Sequence, residues 1–224
     1  MLGTNILDKL RRERNKSGIC AQTHYEVGLR LAEQSRNPEA LAEFKQAIRD
    51  QPDFSEAQME LGNTYHKMGR NHEAIKAHLA AIRIQPDLIN AYKNLGVIYA
   101  SQDKFVEALK MYVTAIRLSP DDVELRKNLG LAYFNMGSYT EAIKAYKQAL
   151  RIEPNDATVH YYLGLVYLDL NDQQSASEEQ QLLKEIGHDD VASLLLDEID
   201  RQAWHLTQGR KKVGEGENTN PVPN

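Results

Sequence analysis

The sequence predicts an all-α fold: five tandem copies of one helical hairpin, closed by a further helix. Three observations carry this. Pro52, Pro86, Pro120 and Pro154 stand 34 residues apart. Gly28, Gly62, Gly96, Gly130 and Gly164 keep the same step, and so do Ala40, Ala74, Ala108, Ala142 and Ala176. A fixed period of this size marks an array of equivalent units, none of which buries its apolar face alone. Such arrays are surfaces that hold other molecules, so the pattern points to binding and away from bond-making.

The elements follow in chain order. Residues 1–20 form a short helix or basic arm, with Leu2, Ile6 and Leu10 at helical spacing among Lys9, Arg11, Arg12, Arg14 and Lys16. Five blocks of 34 then fit without insertion: 21–54, 55–88, 89–122, 123–156 and 157–190. In each block, apolar residues recur at helical spacing in two runs of about 13 residues, giving helix A and helix B. Position 8 is always Gly and position 20 always Ala, small where the two helices cross. Gly inside a helix costs about 1 kcal/mol against Ala, and close backbone approach is the expected compensation. Pro at position 32 ends helix B, because the residue before a proline avoids helical geometry. Asp53, Asp87, Asp121 and Asn155 follow as expected N-caps of the next helix A. Gly69 and Gly137 help the turn between A and B. The fifth block drifts: Gln180 replaces the ring of position 24, and Leu183 and His188 replace the usual Ala and Pro. A terminal repeat is expected to be atypical. Residues 191–207 are the capping helix, begun by Asp189 or Asp190 and packed through Val191, Leu194, Leu195 and Ile199. Residues 208–224, rich in Gly, Lys, Glu, Asn and Pro, are expected to be disordered.

This skeleton of Leu-Gly, Tyr, Ala, Ala and Pro at a 34-residue step resembles the tetratricopeptide repeat (TPR) family over all five blocks. The resemblance implies a right-handed superhelical solenoid with a concave groove lined by the A helices, used to hold an extended segment of a partner protein. The family's inward positions select nine candidate peptide-binding residues: Asn63, Lys67, Lys93, Asn94, Lys127, Asn128, Phe134, Tyr161 and Tyr162. Asn94 and Asn128 occupy one position of successive blocks. They resemble a piece of the asparagine ladder in the TPR region of O-linked N-acetylglucosamine transferase, whose catalytic domain this chain lacks. An amide both donates and accepts, so it pairs with any peptide backbone. Lys93 and Lys127, with Lys67, offer charge to an acidic side chain or a C-terminal carboxylate. The two-carboxylate clamp of chaperone-binding members is incomplete in either register: Lys93 and Asn128 fit, but Val97, Thr158 and Tyr162 do not. Phe134, Tyr161 and Tyr162 offer an apolar anchor, while acid gathers in the first two blocks.

Two other readings use other faces. Lys76, Lys110 and Lys144 repeat on helix B, as do Arg49, Arg83, Arg117 and Arg151, with Lys45 and Lys147 beside them. This stripe suits a polyanion, either nucleic acid or an anionic membrane. It equally suits helix dipoles and pairing with Glu73, Glu107 and Glu141. Alternatively, convex and end surfaces serve self-assembly or complex building.

The net charge of −5 gives no global nucleic-acid signature, so nucleic acid is not the expected partner. A single cysteine, Cys20, excludes an internal disulfide and suits a reducing compartment. No apolar run approaches a membrane span, and the charged N-terminus does not read as a secretory signal, so the expected location is cytoplasmic. His66, His72 and His78 stand six apart, which is not one helical face, and no metal or nucleophile motif occurs. The expectation is therefore a non-enzymatic protein without metal or cofactor.

Overall fold

Each hairpin turns on a residue held in the left-handed backbone region. A computed structural model describes the backbone of residues 2–216 and the side chains of residues 18–204. In it Ser35, Gly69, Asp103, Gly137 and Asn171 have φ of 60°, 73°, 58°, 71° and 58°. These stand at one position of all five blocks. Gly meets that geometry freely, and short polar side chains tolerate it better than others. The following N–H then bonds back to helix A: Arg36 to Leu31, Arg70 to Tyr65, Lys104 to Tyr99, Ser138 to Tyr133 and Asp172 to Tyr167, at 2.8–3.0 Å. The two glycines are legible in the sequence; the three polar substitutes are not.

The helices form two units. Residues 1–120 hold α1 (Leu2–Glu33), α2 (Asn37–Asp50), α3 (Ser55–Lys67), α4 (Asn71–Ile84), α5 (Ile89–Ala100) and α6 (Phe105–Leu118). Residues 121–224 hold α7 (Val123–Asn135), α8 (Tyr139–Ile152), α9 (Ala157–Asp169), α10 (Gln173–Glu185) and α11 (Asp189–Gly216). No strand occurs among the described residues. The expected N-terminal arm and the first helix A are one continuous helix, α1. The capping helix α11 starts at Asp189 and takes in residues 208–216 of the expected tail; residues 217–224 lie outside the described residues. Asp189 and Asp190 lie in its first turn, where the helix dipole favours negative charge.

Two expectations are corrected. The N-caps lie one residue later than Asp53, Asp87, Asp121 and Asn155, at Phe54, Leu88, Asp122 and Asp156. Only Asp122 and Asp156 cap with a side chain, accepting from the N–H of Leu125 and of Val159, each at 3.0 Å. Phe54 instead packs its ring 4.9 Å from that of Tyr25. The second correction concerns position 8. Its glycine makes room for the ring of position 24 on helix B, not for a second backbone. A Cβ there would lie 2.6 Å from Phe44 at Gly28, 2.8 Å from His78 at Gly62 and 2.5 Å from Tyr146 at Gly130. Tyr112 stands the same way over Gly96. In the fifth block, where the ring is lost, Leu195 of α11 fills the space over Gly164.

These rings centre the core. In the first unit Phe44 is buried with Ala40, Leu41, Leu61, Tyr65 and Ile98. In the second, Tyr146 is buried with Val123, Val159, Leu163 and Val166. A further cluster joins Leu168, Leu183, Leu195 and Ile199, so α11 covers the last repeat with real core. Each buried Leu, Ile or Val contributes roughly 1.5–3 kcal/mol relative to exposure, which outweighs what the in-helix glycines cost.

Candidate functional site

In the first unit, Glu26, Glu60 and Asn94 occupy one position of α1, α3 and α5, whose successive members touch. That repetition builds a common helix-A face. Across it, Asn94 Nδ2 donates to Asn63 Oδ1 at 2.7 Å, and Asn63 Nδ2 donates to Glu60 Oε2 at 3.1 Å. The pair joins α5 to α3. It leaves Asn94 Oδ1 and an amide hydrogen on each side chain unused among the described residues. Beside it lies a pocket of about 240 Å³, lined by Glu60, Asn63, His66, Lys67, His78 and Asn94. His66 Nδ1 lies 2.8 Å from Asn71 Oδ1. An amide oxygen only accepts, so His66 Nδ1 donates to it.

His78 is fully buried, and neither of its ring nitrogens has a hydrogen-bond partner among the described residues. Burial first, and the nearby His66 second, push its pKa down to about 4, so the ring is neutral at ordinary pH. Lys67 is exposed and Lys93 half-buried, and neither makes an ion pair among the described residues. The sequence set contains Asn63, Lys67, Lys93 and Asn94 but misses Glu60, His66 and His78. Twelve residues separate His66 from His78 along the chain, yet the hairpin brings both to one pocket. The available signal was His78 itself, standing where other blocks carry Phe44, Tyr112 or Tyr146.

The second unit holds the remaining five. Lys127 Nζ lies 3.1 Å from Asp156 Oδ2 and 3.2 Å from Glu124 Oε2. Burial works against its charge, but those two carboxylates outweigh it and raise its pKa. Asp156 is also the cap of α9, so Lys127 is tied into the framework rather than standing free for an incoming acid. Asn128 is half-buried and makes no hydrogen bond among the described residues. Tyr162 stacks on Tyr146 at 6.0 Å and 8°, and Tyr161 meets Tyr162 edge-on at 5.8 Å. Both rings are half-buried, Tyr162 against the core of α8 and α9, Tyr161 against the cluster sealed by α11. Phe134 lines a pocket of about 290 Å³ with Leu165, Leu168, Asp169, Glu198 and Arg201. The sequence set misses the α11 contributors Glu198 and Arg201, which lie off the apolar stripe of Val191, Leu194, Leu195 and Ile199. Arg201 Nη1 bonds both Glu198 oxygens at 2.9 Å, and Gln202 Nε2 donates to the Leu168 carbonyl at 2.6 Å, which aligns α11 along α9.

On helix B, Arg49, Arg83, Arg117 and Arg151 all lie in last turns, where the helix dipole favours them. Glu141 approaches Lys144 at 4.0 Å, whereas Glu73 pairs with Arg70. The histidines of position 4 are held locally: His24 Nδ1 by Glu43 at 2.5 Å, His160 Nδ1 by Glu179 at 2.6 Å. Among the described residues no group of three or more His, Cys, Asp or Glu is arranged to hold a metal. Nor is any helix among them long and apolar enough to cross a membrane.

Comparison with known proteins agrees with this architecture. A family model described as "TPR repeat" matches residues 28–69 and 130–171, and one described as "Tetratricopeptide repeat" matches residues 53–121. No curated protein sequence matches significantly. Among solved structures, MamA 41-end from Desulfovibrio magneticus RS-1 is 20% identical with a TM-score of 0.69, over 74% of this chain and 94% of that one. YrrB, described as a TPR protein with an unusual peptide-binding site, is 22% identical with a TM-score of 0.68, over 85% and 97%. A further MamA structure is 21% identical with a TM-score of 0.65, over 92% and 100%. At these identities the likeness is one of fold. With the repeat models spanning most of the chain and the hairpin geometry recurring in all five blocks, this protein belongs to the tetratricopeptide repeat family.

Proposed function

We propose that this protein is a non-enzymatic adaptor that binds an extended peptide segment of a partner on its helix-A face. The observation that carries the reading is the Asn63–Asn94 pair, an amide bridge between successive A helices beside a pocket and two cations, Lys67 and Lys93, that make no ion pair among the described residues. The free amide valences suit a peptide backbone, which presents one donor and one acceptor per residue. Lys67 and Lys93 suit an acidic side chain or a terminal carboxylate. In the second unit Asn128 offers the same chemistry, and Phe134, Tyr161 and Tyr162 present half-buried ring faces for an apolar side chain. Lys127 must leave Asp156 to take part, so acid recognition falls mainly on Lys67 and Lys93. The peptide-binding description of YrrB, a fold neighbour, accords with this use of the fold.

The test is affinity capture from the native host with mass spectrometry. The Lys67→Glu/Lys93→Glu variant is expected to lose the captured protein, and Arg83→Glu/Arg117→Glu to retain it. The reverse outcome sinks the groove reading in favour of a polyanion on the helix-B ridge. Loss in neither, with mass in light scattering that rises with concentration, sinks it in favour of a self-assembling scaffold.

A further inference from the structure

Helix α8 presents a cationic recess to solvent. Thr140, Lys144, Lys147 and Arg151 recur at i, i+4, i+7 and i+11, which places them in one row along the helix. With Ile143 and Gln148 they line a recess of about 400 Å³, and no carboxylate is among its lining residues. Lys144 lies 4.0 Å from Glu141, whereas Lys147 and Arg151 make no ion pair among the described residues. The repeat accounts for Arg151, which stands in the last turn as Arg83 and Arg117 do. It does not account for Lys147: the same position carries Leu79 on α4 and Val113 on α6, both exposed.

The next helix B reverses the charge. On α10, Glu178 and Glu185 take the positions of Lys144 and Arg151, and Leu182 takes that of Gln148. All three side chains are exposed. Gln174 Nε2 and Gln181 Nε2 donate to Glu178 and Glu185, each at 3.2 Å, and neither carboxylate makes an ion pair among the described residues. Nor does α8 touch α10 within the chain. Lys144 and Arg151 stand seven residues apart, and so do Glu178 and Glu185. That spacing is about 10.5 Å along a helix, so both opposite-charge pairs can form at once. One chain therefore carries a basic recess and an acidic face with an exposed leucine between its two charges. A polyanion is the poorer match for the recess, because Ile143 gives it apolar lining, and because Leu79 and Val113 interrupt the cations on α4 and α6.

We infer that the α8 recess receives α10 of a second copy of this chain. With the two helices antiparallel, Lys144 meets Glu185 and Arg151 meets Glu178 of the second copy. Leu182 of the second copy then lies against Ile143 and the apolar stem of Lys147. Each copy offers both helices, so a two-fold axis makes the contact twice and closes the assembly at a dimer. The contact uses B helices and leaves the helix-A face free, so it stands or falls apart from the peptide reading.

Sedimentation equilibrium of the full chain tests this. At about 0.1 M salt the mass is expected to rise with concentration toward twice that of one chain; at about 1 M salt, where the screening length drops from about 10 Å to about 3 Å, the rise is expected to shrink. Lys144→Glu/Arg151→Glu and Glu178→Lys/Glu185→Lys are each expected to weaken self-association by about a hundredfold or more, since like charges then face each other. Mixed in equal amounts, the two variants are expected to associate as the original chain does, because each restores opposite charge to the other. All four residues are exposed, so the swaps leave the core intact, and recovery on mixing shows that both variants are folded. A chain that stays monomeric at millimolar concentration overturns the inference. So does association that both swaps leave unchanged, or a mixture that fails to recover it.

Discussion

Replacing His78 by phenylalanine tests the account of the repeat framework most directly. His78 lies over Gly62 as Phe44 lies over Gly28, in the same place of successive blocks. Phenylalanine therefore fits the space, and it removes two buried nitrogens that lack partners among the described residues. Removing such a group is worth roughly 1–3 kcal/mol at neutral pH. Acidity adds a second effect. With a folded-state pKa of about 4 against the ordinary 6.5, the ring takes up its proton more readily in the unfolded chain. Its contribution is fully present above pH 6.5, falls as pH drops, and is lost by about pH 4. At about 1.4 kcal/mol per pH unit, that interval amounts to about 3 kcal/mol. Urea denaturation of both proteins between about pH 7 and pH 4 reads the difference directly, since all other titrations are common to the pair. The advantage of His78→Phe is expected to widen by about 3 kcal/mol across that range. A difference that stays constant, or a His78 ring resonance titrating near 6.5 by NMR, refutes the buried neutral imidazole.

Three more outcomes are expected. His160 is the opposite case: the Glu179 hydrogen bond outweighs burial and, with the Pro154 carbonyl, raises its pKa. Its contribution is full below the unfolded pKa and disappears as pH rises through the raised value; His160→Gln should cost roughly 1.5–3 kcal/mol near pH 6 and less by pH 9, in denaturation curves. Gly130→Ala places a Cβ 2.5 Å from the buried Tyr146 ring, which Tyr162 backs; overpacking of about 1–3 kcal/mol should exceed the helix-propensity gain of about 1 kcal/mol, and an unchanged or higher Tm contradicts it. Asp156→Ala removes both the α9 cap and the Lys127 contact; a loss of about 1–3 kcal/mol is expected, and a double-mutant cycle with Lys127→Ala should return a coupling of at least about 0.5 kcal/mol.

The hairpins were legible because their signal repeats. Five copies of Gly and Ala, and four of a ring, at one step leave no other fold, even though each copy alone is weak. What the sequence hid depends on contacts between helices. Position 8 looked like a place where backbones meet; only the packed hairpin reveals that Phe44, Tyr112 or Tyr146 lies there. The caps slid by one residue because position 33 carries good capping types while the chain geometry selects position 34. Asn63 was legible as a site residue, but its pairing with Asn94 across 31 positions was not, since that depends on how α3 and α5 lie together. Lys127 read as a free cation because Asp156 is 29 positions away and comes near only through the packing of α7 and α9.

The departures from the repeat are therefore more informative than the repeat itself. Where the framework rules alone act, position 24 carries an aromatic ring and position 6 of α5 and α7 carries an amide. In the second block position 24 is His78 and position 6 is Glu60, and the structure brings both to one pocket. A buried unpartnered imidazole lowers stability, and an unbalanced carboxylate beside it adds nothing to offset that loss. Local choices that conflict with the fold are expected where function needs them. His78→Phe should therefore raise the unfolding free energy while the accessible polar groups of the pocket, on Glu60, Asn63 and Asn94, stay in place. If His78→Phe instead leaves the unfolding free energy unchanged or lowers it, the buried imidazole is no cost to the framework, and its place among the rings of position 24 needs no functional reason.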